Sequence, residues 1–201
     1  MNYSFQKKLP TALVFLFSLS LFAGGIFWTD NAEAHKGHAG KVVTFVKKKV
    51  ALKAMLPAGG KVYRRKQKLD SDQTAWANET FGVALSSKVM PFYVSKDRNT
   101  KKQIGSAIVY KFSYRHGNCE IAVGLDENNK VTTTAFVSAN EKYLVDFEDT
   151  VGTGFLKSFD GMSVEDLVEN AKKRSSADKA TREFANALRD AAVTLVAFQQ
   201  K

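Results

Sequence analysis

The chain has 201 residues, with 30 Lys and Arg against 20 Asp and Glu, a formal net charge of +10. Apolar residues make up 44% and charged residues 25%, which excludes a disordered chain, and 13 Gly with 3 Pro exclude a collagen-like or low-complexity one. A single cysteine, Cys119, excludes an internal disulfide framework and a Cys-based zinc site.

The first element is an address. Lys7 and Lys8 form a positive start, an apolar run of 18 residues extends from Thr11 to Trp28, and Ala32-Glu33-Ala34 follows with the small-x-small pattern that signal peptidase reads. Residues 1–34 are therefore expected to be a signal peptide or an uncleaved N-terminal anchor. Either places residues 35–201, one domain, outside the cytoplasm: in a bacterium, in the periplasm or on the outer face of the inner membrane.

Residues 42–56 show apolar side chains at helical spacing and predict a helix with Val43, Val46, Val50 and Met55 near one face. Pro57, Gly59 and Gly60 end it. Residues 61–69 predict a short basic strand, with Lys61, Tyr63, Arg65 and Gln67 pointing to one solvent side. Asp70 or Ser71 caps a helix running to Phe81, closed by Gly82. Strands are expected over 90–94, 104–114, 120–125 and 131–137, with a hairpin centred on Asn128-Asn129. Residues 163–171 read as a helix that Ser163 and Asp166 open as a capping box. Residues 178–198 read as a long helix with Phe184, Leu188, Ala191, Ala192 and Leu195 on its apolar face. The sum is an α+β domain: an antiparallel sheet with flanking helices and a long C-terminal helix.

The chemistry is sought between the sheet and that helix. Only His35, His38 and His116 exist, and no serine sits in a nucleophile elbow, so no hydrolase triad is indicated. The adjacent carboxylates Glu148-Asp149 and Glu165-Asp166 read as solvated. More informative is the loop Asp149-Thr150-Val151-Gly152-Thr153-Gly154. Glycines at alternate positions let backbone N–H groups approach a ligand, and the threonines add hydroxyls.

The order of strand, polar hairpin, strand, glycine loop, Phe159-Asp160-Gly161 and a serine-rich helix start resembles the FMN-binding domain family. That family includes the periplasmic flavin-carrying subunits of the sodium-translocating quinone reductase and its ferredoxin-dependent relatives. The likeness covers residues 50–195 and runs through Gly105, Ile121-Ala122-Val123-Gly124-Leu125-Asp126 and Lys130-Val131. The family's Glu-Thr-x-Gly-x-Gly is met by Asp149, Thr150, Gly152 and Gly154, and its Phe-x-Gly by Phe159 and Gly161. The lead-in from Met55 to Trp76 looks like that of a single-domain exported branch. The family's attachment motif, Ser-Gly-Ala-Thr, whose Thr carries FMN through a phosphoester, is degenerate here. In one register it falls on Ser175, Ser176, Ala177 and Asp178. Slid by three residues it falls on Asp178, Lys179, Ala180 and Thr181. The resemblance thus implies an FMN site built from Asp149, Thr150, Gly152, Gly154, Ser176, Ala177, Asp178 and Thr181. The incomplete motif implies non-covalent FMN, with Lys172, Lys173, Arg174, Lys179 and Arg182 placed to hold a phosphate.

Two further readings complete the expectations. Cleavage after Ala34 would expose His35-Lys36-Gly37-His38, whose amine and imidazoles of His35 and His38 offer a weak Cu(II) or Zn(II) site beside the plain reading of a processed tail. Residues 35–110 hold 16 basic and 4 acidic side chains, net +12, whereas residues 111–201 hold 12 and 14, net −2. The basic half is fitted to an anionic membrane surface or an acidic partner, and no nucleic-acid motif accompanies it. Two functions follow: an exported FMN-binding electron-transfer protein working with a redox partner or a membrane-bound electron-transfer complex, or a flavin-free binding module of the same fold that docks through its basic face. Both readings favour an electron-transfer or binding protein over a stand-alone catalyst.

Overall fold

The computed structural model describes residues 39–148 and 154–200, all within one compact unit, Ala32–Lys201. The expected signal segment, the pair His35 and His38, and Asp149, Thr150 and Gly152 of the glycine loop lie outside the described residues. No helix among the described residues is long and apolar enough to cross a membrane.

Among the described residues six strands form one antiparallel sheet: β1 (Val42–Thr44), β2 (Lys61–Gln67), β3 (Met90–Lys96), β4 (Gln103–Tyr114), β5 (Gly117–Asp126) and β6 (Val131–Asn140). Their spatial order is β1-β6-β5-β4-β3-β2. Among the described residues four helices pack on it: α1 (Lys48–Met55), α2 (Ser71–Phe81), α3 (Val164–Lys173) and α4 (Lys179–Ala197). The α+β expectation holds.

Local chemistry sets most boundaries. The Asp70 carboxylate accepts the Gln73 N–H at 2.8 Å to open α2, and Gly82 closes it at φ 67°, a left-handed turn that glycine takes without strain. Ser163 and Asp166 form the full reciprocal capping box of α3. In the β5–β6 turn the Asp126 carboxylate accepts the N–H groups of Asn128 and Lys130, both at 2.8 Å. Strands alternate faces, so the sheet has two cores. Phe92, Ile108, Ile121, Val123 and Phe136 pack beneath α4, together with α2 and α3. Ala107, Ala122 and Val137 pack beneath Ala51, Leu52 and Met55 of α1.

Two expectations are corrected. The stretch 42–56 is not one helix. Its first residues are β1, whose Val42, Val43 and Thr44 pair with Asn140, Ala139 and Ser138 of β6. Three β-branched residues favour that pleated edge. The helix begins only at Lys48, and it buries Ala51, Leu52 and Met55 while Val50 stays 57% exposed. The basic strand β2 does not face solvent on one side alone. As an edge strand it exposes Val62, Arg64 and Lys66 on one face and Lys61 and Arg65 on the other, with Tyr63 and Gln67 half-buried. Lys47, Lys48 and Lys49 are all exposed.

Candidate functional site around the head of the last helix

β4 ends at Tyr114, whose ring is buried and whose hydroxyl donates to Asp146 Oδ2 at 3.0 Å. The tight turn to β5 puts Arg115 at φ 51°. Its guanidinium lies 3.1 Å from the same Asp146 oxygen and over the rings of Tyr114 and Tyr143, at 5.6 and 5.9 Å. Lys179, the first residue of α4, places its ammonium 5.9 Å from the Tyr114 ring. Two cations thus share one aromatic ring, an arrangement attractive through the ring's quadrupole.

The second flank of the glycine loop is tied to the same helix end. Gly154 stands at φ 77°, with no described residue where a side chain would project. Phe155 follows, edge-on to Phe159 at 5.0 Å and to Phe184 of α4 at 5.9 Å. The Arg174 guanidinium caps the Phe155 ring at 4.6 Å, while its Nε donates to Asn170 Oδ1 at 2.7 Å. Beneath lies a continuous cluster of rings: Phe184 meets Phe112, Phe136 and Phe147, and Phe147 meets Tyr114 at 4.7 Å. Phe155, next to Gly154, thus contacts Arg174, before the helix start, and Phe184, in the second turn of α4.

Ser176 and Asp178 are exposed, and Ala177 and Thr181 are half-buried. Asp178 is the N-cap of α4: its carboxylate accepts the Thr181 N–H at 2.9 Å. Hydrogen bonds from the Thr181 side chain and backbone hold the Asp178 carboxyl below the usual carboxylate range. The anion position that a helix N-terminus offers to a phosphate is thus taken by the chain's own carboxylate. No hydroxyl stands at residue 178, and the Thr181 side chain hydrogen-bonds the Asp178 carboxylate, so only the second register supplies a hydroxyl.

The expected phosphate-holding cations are partly spoken for. Lys172 pairs with Glu169 at 2.7 Å, Arg174 is held by Asn170 and Phe155, and Arg182 donates to the Ser175 carbonyl oxygen at 3.5 Å. Lys179 remains directed at the Tyr114 ring beside Arg115. Tyr114, Arg115, Tyr143 and Asp146 were not indicated by the sequence. Their only local signal is Tyr114-Arg115 at a strand end, and the partner, Asp146, lies some thirty residues on.

Among the described residues no cluster of three or more His, Cys, Asp or Glu is placed to hold a metal. Cys119, in the centre of the sheet, is fully buried, and burial pushes its thiol up to about 12. His116 is exposed in the β4–β5 turn. Comparison with family models, curated proteins and solved structures finds no match.

Proposed function

We propose that the protein is an exported FMN-binding electron-transfer protein with non-covalent flavin. The observation that carries the reading is the meeting of loop and helix: Phe155, next to Gly154, packs on Arg174 and Phe184, which flank Ser176, Ala177 and Asp178. Phe155, at the described end of the loop stretch, and the residues on either side of the α4 start thus share one aromatic cluster. Support for non-covalent flavin comes from the incomplete attachment motif, since position 178 lacks a hydroxyl; Thr181, whose side chain hydrogen-bonds the Asp178 carboxylate, is the one hydroxyl the other register offers. For a phosphate held by side chains the nearest cations are Lys179, over the Tyr114 ring, and Arg115, which an incoming phosphate would have to draw from its pair with Asp146. Bound there, FMN would supply one- and two-electron redox chemistry; the chain would supply position and electrostatics.

The test is titration of the purified protein with FMN and with riboflavin, which lacks the phosphate. FMN is expected to bind at least tenfold tighter, and Lys179→Ala with Arg115→Ala should remove that advantage. Acid should release all the colour. Flavin that stays with the denatured polypeptide would overturn the non-covalent reading. A folded protein that binds neither flavin would select the second reading, a flavin-free binding module, which the filled helix N-terminus favours.

A further inference from the structure

On the opposite side of the sheet from α4, α1 leaves part of the face uncovered. Its 8 residues reach about 12 Å, while the 12 residues of β4 reach about 40 Å. The uncovered part forms a concavity of about 670 Å3, floored by Tyr93 and Val109 and lined by Lys48, Arg64, Lys88 and Lys111. Its one acid, Glu120, is neutralised from within: Lys48 donates to it at 2.7 Å and the Ser138 hydroxyl at 3.0 Å. Arg64, Lys88 and Lys111 have no side-chain ion pair among the described residues. Register explains the gathering. Arg64 sits opposite Tyr93 across β2 and β3, and Lys111 opposite Glu120 across β4 and β5, so all four share this face.

The rim is also apolar. Val89 lines the groove and is 64% exposed, and Val62, on the same face of β2 as Arg64, is 50% exposed. Exposed valines on the same face as cations without ion pairs, one lining the groove and one two residues from Arg64 along β2, match a surface that is anionic at the headgroup and hydrocarbon below it. A wholly aqueous phosphate would use the cations and leave the valines without a purpose. We propose that this groove docks the protein on a membrane by receiving the phosphate of an anionic phospholipid headgroup, with Val62 and Val89 entering the interface. The proposal is independent of the flavin reading.

The experiment measures sedimentation of the protein with vesicles of phosphatidylcholine alone and with 30% phosphatidylglycerol. Binding is expected only to the anionic vesicles, weakening at least tenfold between 0.05 and 0.3 M salt as screening shortens the reach of the charges. Arg64→Glu, Lys88→Glu and Lys111→Glu together should weaken it at least tenfold. An equal reversal at Lys142, Lys157 and Lys172 should change it less than threefold. Val62→Ser with Val89→Ser should weaken it several-fold without altering the salt dependence. Glycerol phosphate in the millimolar range should compete weakly. Circular dichroism and melting of each variant control for folding. Equal effects of the two triple reversals would overturn the site, leaving diffuse charge. Binding to polyglutamate as tight as to vesicles, indifferent to the valines, would overturn the lipid assignment in favour of an acidic protein. No binding at low salt would overturn both.

Discussion

Gly154 sits at φ 77° with no described residue within 4 Å of a would-be side chain, so its requirement for glycine is one of backbone conformation. Gly154→Ala should cost about 1–2 kcal/mol in urea denaturation, the strain of a left-handed residue, and Gly154→Asn should cost less. A cost as large for Asn would point to a contact in place of strain. Cys119 makes the reverse case, a side chain defined by its surroundings. Burial raises its thiol from an ordinary value near 9 to about 12. The folded state therefore holds the proton more tightly than the unfolded one. This group's stability contribution is complete below pH 9 and is lost as pH rises toward 12. Cys119→Ala should flatten that part of the stability-versus-pH curve. At pH 8 the native thiol should resist a disulfide reagent, reacting only at the rate at which the sheet opens.

α1 rests on glycine. A Cβ on Gly124 would lie 2.5 Å from Thr132 Oγ1, 2.6 Å from Met55 Cβ and 2.9 Å from the Met55 carbonyl oxygen, and one on Gly105 would lie 2.6 Å from Pro57 Cδ. Two of the positions that carried the family resemblance are thus places where the end of a helix touches the sheet backbone. Gly124→Ala should destabilise the fold by about 1–3 kcal/mol, the usual cost of overpacking, as read from denaturant midpoints. It should also break the 2.8 Å hydrogen bond that the Thr132 hydroxyl donates to the Met55 carbonyl. Elements whose ends are settled by nearby chemistry were legible in the sequence: Asp70 and Gly82 bound α2, Ser163 and Asp166 open α3, and Asp178 opens α4. The stretch 42–56 was not, because pairing with β6 far along the chain decides the fate of Val42 to Thr44, and a chance helical spacing of valines hid it. The candidate site divides the same way. Asp178 and its neighbours announce themselves at a helix start, whereas Tyr114, Asp146 and Lys179 come from three separate segments and become a group only in three dimensions.

At the scale of the molecule, charge and sheet edges are linked. β2 is an open edge that carries Lys61, Arg64, Arg65 and Lys66. Charged edge strands repel a second copy that would otherwise extend the ladder. Replacing Arg64, Arg65 and Lys66 by Thr should preserve the circular dichroism of the fresh protein but promote assembly that binds thioflavin T. Lasting solubility of that variant would show that the edge is protected by other means. The opposite edge, β1, has only three residues, and its pairing has a consequence for how the chain folds. β2 to β6 lie side by side in the order in which they are synthesised, so each strand finds its partner already made just upstream. β1 is made first, yet it pairs with Ser138, Ala139 and Asn140 at the end of β6. Its loop is the longest in the sheet and the costliest in entropy to close. The earliest of the described strands to emerge thus cannot be placed until the latest has been made, and until then the flank of β6 is bare.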